Sequence, residues 1–497
     1  MLPETSPVRL TSAQLEELDY EKLYCAYSAK GRKSKVDPRV LFKVMVYGYQ
    51  CRIYSSRELE EACRNRVDFM WLLGDYPAPD HTTIARFRTG RCAEAVEDLF
   101  YQYVSLLEKQ GETDHETVFI DGTKVESCAG RYTFCWRGSV EKRLKKLQQK
   151  VLETTGAKDL SALQNHLEQA KGQISFVHSK GCRKSEEQRQ WEAGDELRQK
   201  WEAYENSLKI MGADRNSYSK TDVEATFMRM KEDHMLNGQL KPAYNVQIAV
   251  ENYFIIHSYI SSDRTDYNTL IPVLEKHKAA FGSYPESATA DSGYCSEKNL
   301  LFLKENCITS YIKLQDHEKR KTRAYAEDIG KYYNMKRETF EDEVYYVCQD
   351  GREVRHIRTE IKKQDGYEQT FEVYGCADCS ECPHKAKCLY KYNEETDADK
   401  NKVMKINERW EDLKEETHAN ILSEKGILNR QIRSIQTEGH LGDIKENEDF
   451  RKFNYRSSEK VYKEFMLYAF GRNLNKYHRF LHGEIQKFEG KTEQMAA

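Results

Sequence analysis

The chain has 497 residues, of which 32% are charged and 11% are aromatic, and its formal net charge is −3. This length is enough for two or three domains, each with a substantial core. The sequence contains neither a run of about 18 apolar residues nor an apolar N-terminal segment of the signal-peptide type, so we expect a cytoplasmic protein. Because the net charge is small, any binding of nucleic acid must depend on local basic patches.

Residues 1–110 have the pattern of short helices joined by tight turns. Asp37 fits the N-cap of one helix, and Asp80 fits the N-cap of a later helix that carries Arg86 and Arg88. Short helices of which the last is basic resemble a helix-turn-helix DNA-binding domain. A helical bundle with a solvated basic face would give the same pattern, so both interpretations stay open.

Strands and helices alternate after residue 110. "TVFIDGTKVES" predicts a strand, and "AYNVQIAV" with "YFIIHSYI" predicts a β-hairpin. "LIPVLEKHKAAF" and "SEKNLLFLKEN" predict helices, each followed by a strand, at "ESATAD" and "ITSYIKL". Two closing helices are expected near 432–446 and 457–481. This order is what a mixed sheet flanked by helices requires, so we expect an α/β fold.

Two polar segments interrupt this order. Residues 137–220 are rich in Lys, Glu and Gln, and their apolar residues at helical spacing predict an inserted helical hairpin. Residues 316–410 form a second polar insertion, which holds a cluster of cysteines. We therefore expect a helical domain at 1–110, an α/β domain at 111–481 that contains both insertions, and a polar tail at 482–497.

Two aspartates end apolar strand patterns. Asp121 ends "VFID" and precedes Gly122, and Asp291 ends "ATAD". Asp-Gly between strands is a common hairpin turn, and Asp after a strand is common in Asx turns. Carboxylates held at comparable strand ends would instead bind a metal ion. The two residues alone leave both interpretations open.

Glu438 lies in the pattern of a late helix. Ile435, Glu438, Leu441 and Lys445 are spaced by three, three and four residues, which predicts one shared helix face. A carboxylate on the apolar side of a helix must be paired, hydrated or metal-bound, because an isolated buried charge is very costly. An ion pair with Lys445 or Arg433 is the structural alternative.

Four segments occur in an order that is typical of one family. They are "VFIDGTKVES", "KPAYNVQIAV", "ATADSGYCSEKN" and "RSIQTEGHLGDIK". They resemble the successive motifs of DDE (Asp-Asp-Glu) transposases of bacterial insertion sequences, and "SSRELEEACRNRVDFMWLLGDYPAPDHTTIARFR" resembles the helical region that precedes the catalytic domain in one branch. The resemblance implies an RNase H-like catalytic core with a mixed five-stranded sheet. It also implies that Asp121, Asp291 and Glu438 are the catalytic carboxylates.

The chain departs from the general family signature in one place. The signature has an Arg four residues before the Glu and a Tyr further upstream, but Ser434 and Gln431 occupy these positions, and Arg433 lies one residue early. Lys445 follows Glu438 by seven residues, as the signature requires. The resemblance therefore assigns Lys445, and with it Arg433, to contacts with DNA.

The resemblance also implies the chemistry. Strand cleavage and strand transfer need two divalent cations that hold the attacking and leaving oxygens, and three carboxylates suit Mg²⁺ or Mn²⁺. Asp121 would bridge the two ions, water would be the first nucleophile, and the freed 3′-OH would be the second. The partners are the terminal inverted repeats of the element and the target DNA, and pairing of two ends implies a homodimer.

Four cysteines lie close together in "CADCSECPHKAKC": Cys376, Cys379, Cys382 and Cys388. Four thiolates fit a closed tetrahedral zinc site of the structural kind. The same spacing also resembles iron–sulfur ligation, and a loop of free thiols in a reducing compartment is the third interpretation. Zinc is the metal that we expect.

A basic segment with interleaved aromatic residues follows the late helix. "FRKFNYRSSEK" contains Arg451, Lys452 and Arg456, with Phe450 and Phe453 among the aromatic residues between them. Cations on one surface bind the DNA backbone, and aromatic rings can stack on unpaired bases. We therefore include the three cations, with Arg86 and Arg88, among the DNA-binding residues.

Three functions are compatible with these patterns. The first is a metal-dependent transposase that cleaves DNA and transfers strands. The second is an aspartyl-phosphate phosphohydrolase with "FIDGTKV" as its nucleophile strand, which explains neither Glu438 nor the N-terminal helices. The third is a non-enzymatic DNA-binding protein derived from a transposase. We expect the first, because all three acidic residues are present.

Overall fold

The computed structural model describes residues 2–27, 34–177, 183–213, 215–230, 238–341, 343–364 and 366–484. The helices are α1 (Pro7–Glu16), α2 (Glu21–Cys25), α3 (Pro38–Gln50), α4 (Ser56–Asn65), α5 (Val67–Leu73), α6 (His81–Thr89), α7 (Arg91–Lys109), α8 (Arg137–Thr155), α9 (Leu160–Lys171), α10 (Glu186–Met211), α11 (Leu270–Phe281), α12 (Glu297–Glu305), α13 (His317–Arg320), α14 (Arg323–Ala326), α15 (Lys385–Cys388), α16 (Glu394–Asp397), α17 (Glu408–Leu422), α18 (Glu424–Arg433), α19 (Gly439–Gly442) and α20 (Ser458–Leu481). The strands are β1 (Thr117–Glu126), β2 (Phe134–Trp136), β3 (Ser217–Ser219), β4 (Thr226–Arg229), β5 (Leu240–Glu251), β6 (Phe254–Ser261), β7 (Ser287–Ala290), β8 (Thr309–Ser310), β9 (Lys336–Phe340), β10 (Glu343–Val347), β11 (Glu353–Gln364), β12 (Tyr367–Cys376) and β13 (Val403–Ile406).

The chain divides into two compact units. As far as they are described, residues 1–113, 122–269 and 439–487 form the first unit, and residues 114–121 and 270–438 form the second. The boundaries that the sequence predicts for the domains stay predictions. Among the described helices, none combines the length and the apolarity that a membrane crossing requires.

In the first unit, α1, α3 and α7 pack against α20. The ring of Phe470 on α20 lies 5.6 Å from that of Phe42 on α3 and 5.4 Å from that of Phe100 on α7. A Cβ on Gly471 would lie 2.5 Å from the backbone nitrogen of Gln50. Glycine at this position therefore lets α20 approach α3 closely.

Two predicted helix starts are confirmed. The Asp37 carboxylate accepts a hydrogen bond from the Arg39 amide at the start of α3, at 2.9 Å. The Asp80 carboxylate accepts one from the Thr83 amide at the start of α6, at 2.8 Å. Each bond satisfies one of the amides that the first turn of a helix leaves without a partner.

The first polar insertion is helical, but it is not a simple hairpin. The apolar residues that the sequence places at helical spacing are buried on α8: Val140, Leu144, Leu147 and Val151. They pack with residues of α9 and with Trp201 of α10. The expected hairpin is therefore wrong in one respect, because α9 forms a third helix between α8 and α10.

The expected β-hairpin is confirmed in the first unit. β5 and β6 pair antiparallel up to Glu251 and Phe254, and the two turn residues Asn252 and Tyr253 both have positive φ angles. β4 pairs antiparallel with the beginning of β5. The sequence did not predict β4, so the expected five-stranded sheet is corrected to one with β4 as a sixth strand among the described residues.

The parallel part of the sheet lies in the second unit. Residues 117–120 of β1 pair in parallel with β7, and β7 pairs in parallel with β8. α11 precedes β7, and α12 connects β7 to β8. The expected chain order of three strands, a helix, a strand, a helix and a strand is confirmed, and the fold is mixed α/β with a mixed sheet.

The second polar insertion forms its own antiparallel sheet, in the order β13-β12-β11-β10-β9. One side of it is buried by an apolar cluster that includes Tyr346, Val354 and Tyr374. On the exposed part of β11 and β12, a cross-strand hydrogen bond joins His356 to Glu372 at 2.7 Å, and an ion pair joins Lys363 to Glu368. The sequence predicted only a polar segment here.

A buried carboxylate joins this sheet to α12. Glu297, the first residue of α12, accepts hydrogen bonds from Gln369 at 2.6 Å, Asn407 at 2.7 Å and Arg409 at 2.8 Å. These donors belong to β12, to the N-cap of α17 and to α17 itself. The charge of Glu297 is thus compensated, as burial requires.

We predict that Glu297→Ala destabilises the protein by about 2 kcal/mol, because the buried amide of Asn407 and the half-buried amide of Gln369 lose their acceptor. Urea unfolding measures the change. Glu416→Ala is the matched control, since it removes a carboxylate paired with Lys304 at the surface, where such a pair contributes about 1 kcal/mol at most. Equal stabilities of the two variants would contradict the prediction.

Stability should also depend on the buried imidazole of His277 on α11. Burial, and then the neighbouring His115, lower the pKa of His277 from 6.5 to about 4. Between these two values the unfolded chain binds a proton that the native chain does not bind. The free energy of unfolding therefore falls as the pH falls from 6.5 to about 4.

We predict that His277→Gln makes this pH dependence shallower, because the variant has no imidazole to protonate at this position. Unfolding midpoints in urea across that pH range measure the effect. His166→Gln, which alters an exposed histidine of α9, should leave the slope unchanged. A His277 variant with the wild-type slope would show that His277 does not cause it.

Candidate active site

Asp121 and Asp291 lie side by side in the second unit. The parallel register of β1 and β7 ends with Ile120 opposite Ala290, and the two aspartates are the next residues. Since neighbouring strands are about 4.8 Å apart, the register places these two residues next to each other. The sequence thus predicted correctly that both follow apolar strand residues, but β1 continues through Asp121 to Glu126, so Asp121 is neither a strand end nor a hairpin turn.

Arg433 pairs with Asp121. The guanidinium Nη1 of Arg433 donates to Oδ2 of Asp121 at 3.2 Å, and both side chains are mostly buried. Arg433 is the last residue of α18, which contacts β7. The end of the late helix therefore lies against the strand that Asp291 follows. The sequence predicted Glu438 or Lys445 as possible partners in this region, but it did not predict the ion pair of Arg433 with Asp121.

The late helix is not a regular α-helix at the predicted site. A π-helical turn, Ser434–Glu438, follows α18, and another, Asp443–Asn447, follows α19. Ile435 is 44% exposed whereas Leu441 is 8% exposed. Ile435 therefore does not share a buried face with Leu441 as predicted, because π-helical turns shift residues relative to an α-helical face.

The side chain of Glu438 lies outside the part of the chain that the structure describes, so its role stays a prediction. Among the described residues, no group of three or more His, Cys, Asp or Glu side chains is gathered as a metal site. Asp121 and Asp291 still fit a hard divalent cation in donor chemistry, because carboxylate oxygens are the ligands that such ions prefer.

Gly122, which follows Asp121, lies in the first unit against a network of buried amides. The side chains of Asn245 and Gln247 on β5 both donate to Oδ1 of Asp266 at 2.8 Å, and Gln247 also donates to Asn245 at 3.0 Å. A Cβ on Gly122 would lie 2.2 Å from Nε2 of Gln247. The backbone at Gly122 thus packs against the hydrogen-bonded side chains of Gln247 and Asp266. The motif "AYNVQ" contains Asn245 and Gln247, but their position in the sequence does not indicate this hydrogen-bonding role.

Two predicted DNA-binding cations are buried. Arg88 donates to the backbone oxygen of Tyr54 at 2.8 Å and to the sulfur of Met45 at 3.2 Å. Lys445 is also buried, within the second π-helical turn. The surrounding side chains screen both cations from solvent, and their assignment to DNA contact stays a prediction.

The other predicted cations of the first unit are exposed: Arg86, Arg451, Lys452 and Arg456. Two of the aromatic residues between them, Phe450 and Phe453, are almost completely buried. Their ring centroids lie 5.5 Å apart. The expected stacking of bases on these two rings is therefore wrong. Arg451 is already paired with Glu446 and Asp449, so the DNA contacts of these cations stay a prediction.

The four clustered cysteines lie at the edge of the second sheet. Burial, and then the neighbouring Cys379, raise the pKa of the Cys376 thiol to about 11. The backbone amide of Lys402 donates to the Cys379 sulfur at 3.5 Å. Cys348, which the sequence analysis did not single out, packs against the same apolar cluster as Cys376 and Cys379. Local spacing does not reveal Cys348, because the strands β11 and β12 separate it from the cluster in the chain.

Burial raises the pKa of the Cys388 thiol. The thiols of Cys348, Cys379 and Cys382 raise it further. The thiols are thus neighbours, but, as noted for the described residues, they are not gathered as a metal site. The predicted zinc site stays a prediction. Thiols are nevertheless the donors that structural zinc prefers.

Comparison with known protein families gives two matches. Residues 347–478 match a family described as "Transposase DDE domain", and residues 1–90 match a family described as "Transposase domain (DUF772)". The first match includes Arg433 and Glu438, whereas Asp121 and Asp291 precede it. No match was found among curated proteins or among solved structures.

We predict that Gly122→Ala destabilises the protein by about 1–3 kcal/mol, because the new methyl group would overlap the buried Gln247 side chain and the half-buried Asp266 side chain. Thermal unfolding measures the loss. Gly138→Ala is the control, because a Cβ there would meet no atom within 4 Å. If both variants melt like the wild type, the amide network does not require glycine at position 122.

Proposed function

The chain is a DDE-type insertion-sequence transposase, and from this premise we propose that it cuts DNA at the ends of its element and joins the freed 3′-OH groups to target DNA. The observation that carries the proposal is the parallel register of β1 and β7, which ends at Ile120 and Ala290, directly before Asp121 and Asp291. Metal-dependent phosphodiester chemistry needs carboxylates that are held together in this way.

An RNase H-like catalytic core is part of the proposal. Its support is the chain order of the elements, in which β1, β5 and β6 precede α11, β7, α12 and β8. The antiparallel pairing of β5 with β6 and the parallel pairing of β1 with β7 also agree with such a core. The late α18 then brings Arg433 to the first of the two aspartates.

Asp121, Asp291 and Glu438 would hold two Mg²⁺ or Mn²⁺ ions. Bound there, such ions supply an activated water and neutralise charge on the attacking and leaving oxygens. The protein itself supplies no nucleophile in this scheme, because water attacks first and the freed 3′-OH attacks second. No Ser, Tyr or Cys side chain therefore forms a covalent intermediate.

Arg433 has a defined task in the same scheme. Its guanidinium neutralises Asp121 in the structure at hand, at 3.2 Å, and so compensates a carboxylate that is mostly buried. A planar guanidinium also binds phosphate through two parallel hydrogen bonds. We assign Arg433 to Asp121 before DNA binds and to a phosphate of the DNA end afterwards.

Binding of DNA is assigned to the N-terminal helices and to the basic segment after the late helix. Residues 1–110 would read the element ends in the manner of a helix-turn-helix domain, with Arg86 exposed on α6. Arg451, Lys452 and Arg456 would contact the backbone. Two chains would pair to hold the two ends of the element, so the active form is a homodimer.

We predict that Asp291→Asn abolishes metal-dependent cleavage but leaves DNA binding intact, because the amide removes one anionic metal ligand without changing the shape of the side chain. The assay is cleavage of a plasmid that carries the element's own ends, with Mg²⁺ or with EDTA. Asp412→Asn on α17 is the control, since it alters an exposed aspartate outside the proposed site.

Each outcome of this assay has a distinct meaning. Cutting by the wild type and by the Asp412 variant but not by the Asp291 variant supports the proposal. Normal cutting by the Asp291 variant would contradict the role of Asp291. Specific binding without cutting by the wild type would contradict the catalytic proposal and favour a DNA-binding protein derived from a transposase.

We also propose that Cys376, Cys379, Cys382 and Cys388 hold one structural zinc ion, and we predict about one zinc per purified chain. Cys376→Ser/Cys379→Ser should lose the metal and melt at a lower temperature, as measured by elemental analysis and thermal unfolding. The control is Cys25→Ser/Cys307→Ser, which alters two exposed cysteines. Iron with visible absorbance, or wild-type protein without metal, would contradict zinc.

A further inference from the structure

A buried carboxylate in the first unit is surrounded by more positive charge than it needs. Glu126, at the end of β1, lies 3.2 Å from Nε of Arg131, 3.2 Å from Nζ of Lys241 and 3.9 Å from Nζ of Lys452. The Glu126 side chain is only 7% exposed. One cation would neutralise it, so the four groups together carry a formal charge of 3 − 1 = +2.

The cations themselves reach the solvent. The exposed fraction of the side chain is 49% for Arg131, 28% for Lys241 and 50% for Lys452. Tyr132, next to Arg131, is 86% exposed. A surface with excess positive charge and an exposed ring has the composition that binds a nucleic-acid backbone.

Backbone pairing fixes the cluster in place. The Glu126 amide donates to the carbonyl of Arg451 at 3.0 Å, and the Phe453 amide donates to the carbonyl of Glu126 at 2.9 Å. Lys452 is thereby held beside Glu126, while Lys241 comes from β5 and Arg131 from the loop after β1. Three separate segments present their cations around one carboxylate, so little ordering is needed when a ligand binds.

We propose that Arg131, Lys241 and Lys452 form a binding site for the phosphates of DNA, with Glu126 as the buried anchor that orients them. The proposal rests on the transposase function and adds Arg131 and Lys241 to the residues that the sequence assigned to DNA. The ligand is the phosphodiester backbone, and the contact does not depend on base sequence.

The test is the salt dependence of binding to a short fluorescent duplex of arbitrary sequence. Each lost phosphate contact should reduce the slope of log K against log salt concentration by about 0.9. For Arg131→Gln/Lys241→Gln we expect a slope lower by about 1.8 and an affinity at least about tenfold weaker. An unchanged slope and affinity would overturn the proposal.

The control removes the same charge from a similar cluster. Arg358 and Lys405 both bind Glu360 on the second sheet, and both are about half exposed. Arg358→Gln/Lys405→Gln should bind DNA with the wild-type slope. If this variant lost as much slope as Arg131→Gln/Lys241→Gln, general loss of charge would explain both and the proposed site would be wrong.

A second variant separates DNA binding from a purely structural role. Glu126→Gln keeps the shape and an acceptor oxygen of the anchor but removes its negative charge. The three cations should therefore stay oriented and bind DNA more tightly than in the wild type, and the DNA complex should melt at the wild-type temperature or above it. If the cluster served only to stabilise the fold, the variant would melt at a lower temperature without any gain in affinity, and the proposal would fail.

Failure of this proposal can be distinguished from failure of the proposed transposase function. Wild-type chain that binds no DNA would contradict the transposase proposal itself. Wild type that binds and cleaves, together with an Arg131→Gln/Lys241→Gln variant that does the same with an unchanged salt slope, would contradict only the site around Glu126.

Discussion

The parallel pairing of β1 with β7 is the constraint on which the candidate site depends. A shift of one residue would turn every side chain of one strand to the opposite face, and Asp121 would no longer lie beside Asp291. The pairing is well specified because β7 is completely buried, as is usual for parallel strands. A hydroxyl contact between Thr117 and Ser287, at 3.1 Å, marks the same register at the other end.

The position of α18 depends on a second constraint within the same unit. The Ser423 hydroxyl caps the helix by accepting a hydrogen bond from the Gly426 amide at 3.1 Å. A Cβ on Gly426 would lie 2.0 Å from the carbonyl oxygen of Asn420, so only glycine permits this close corner between α17 and α18. Since α18 ends at Arg433, the corner helps to determine where the guanidinium meets Asp121.

The features that the sequence predicted well are those that depend on neighbouring residues. The caps at Asp37 and Asp80 and the hairpin of β5 and β6 arise from local chemistry. The same holds for the apolar residues that lead into Asp121 and Asp291. These patterns predict the chain order of the strands and helices and single out Asp121 and Asp291. They do not predict that β1 pairs with β7.

The features that the sequence did not predict depend on distant partners. The burial of Arg88 requires Tyr54 and Met45, which belong to other parts of the chain. The strands of the second sheet carry charged residues on an exposed face, so apolar alternation is weak, and cross-strand pairs such as His356 with Glu372 replace it. The buried Glu297 finds its donors more than seventy positions away, near residues 369 and 407, beyond the range of any local pattern.

The π-helical turn after α18 gives the one-residue displacement of Arg433 a structural meaning. In an α-helix the residue one turn before Glu438 is Ser434, whereas a π-helical turn is one residue longer, so the preceding turn reaches back to Arg433. The Thr437 hydroxyl takes the Arg433 carbonyl as its acceptor at 2.9 Å, and this kind of side-chain bond competes with the regular ladder of a helix. The extra residue of this turn and the arginine that comes one position early thus occur in the same short segment, whose first part ends with the Arg433 guanidinium on Asp121.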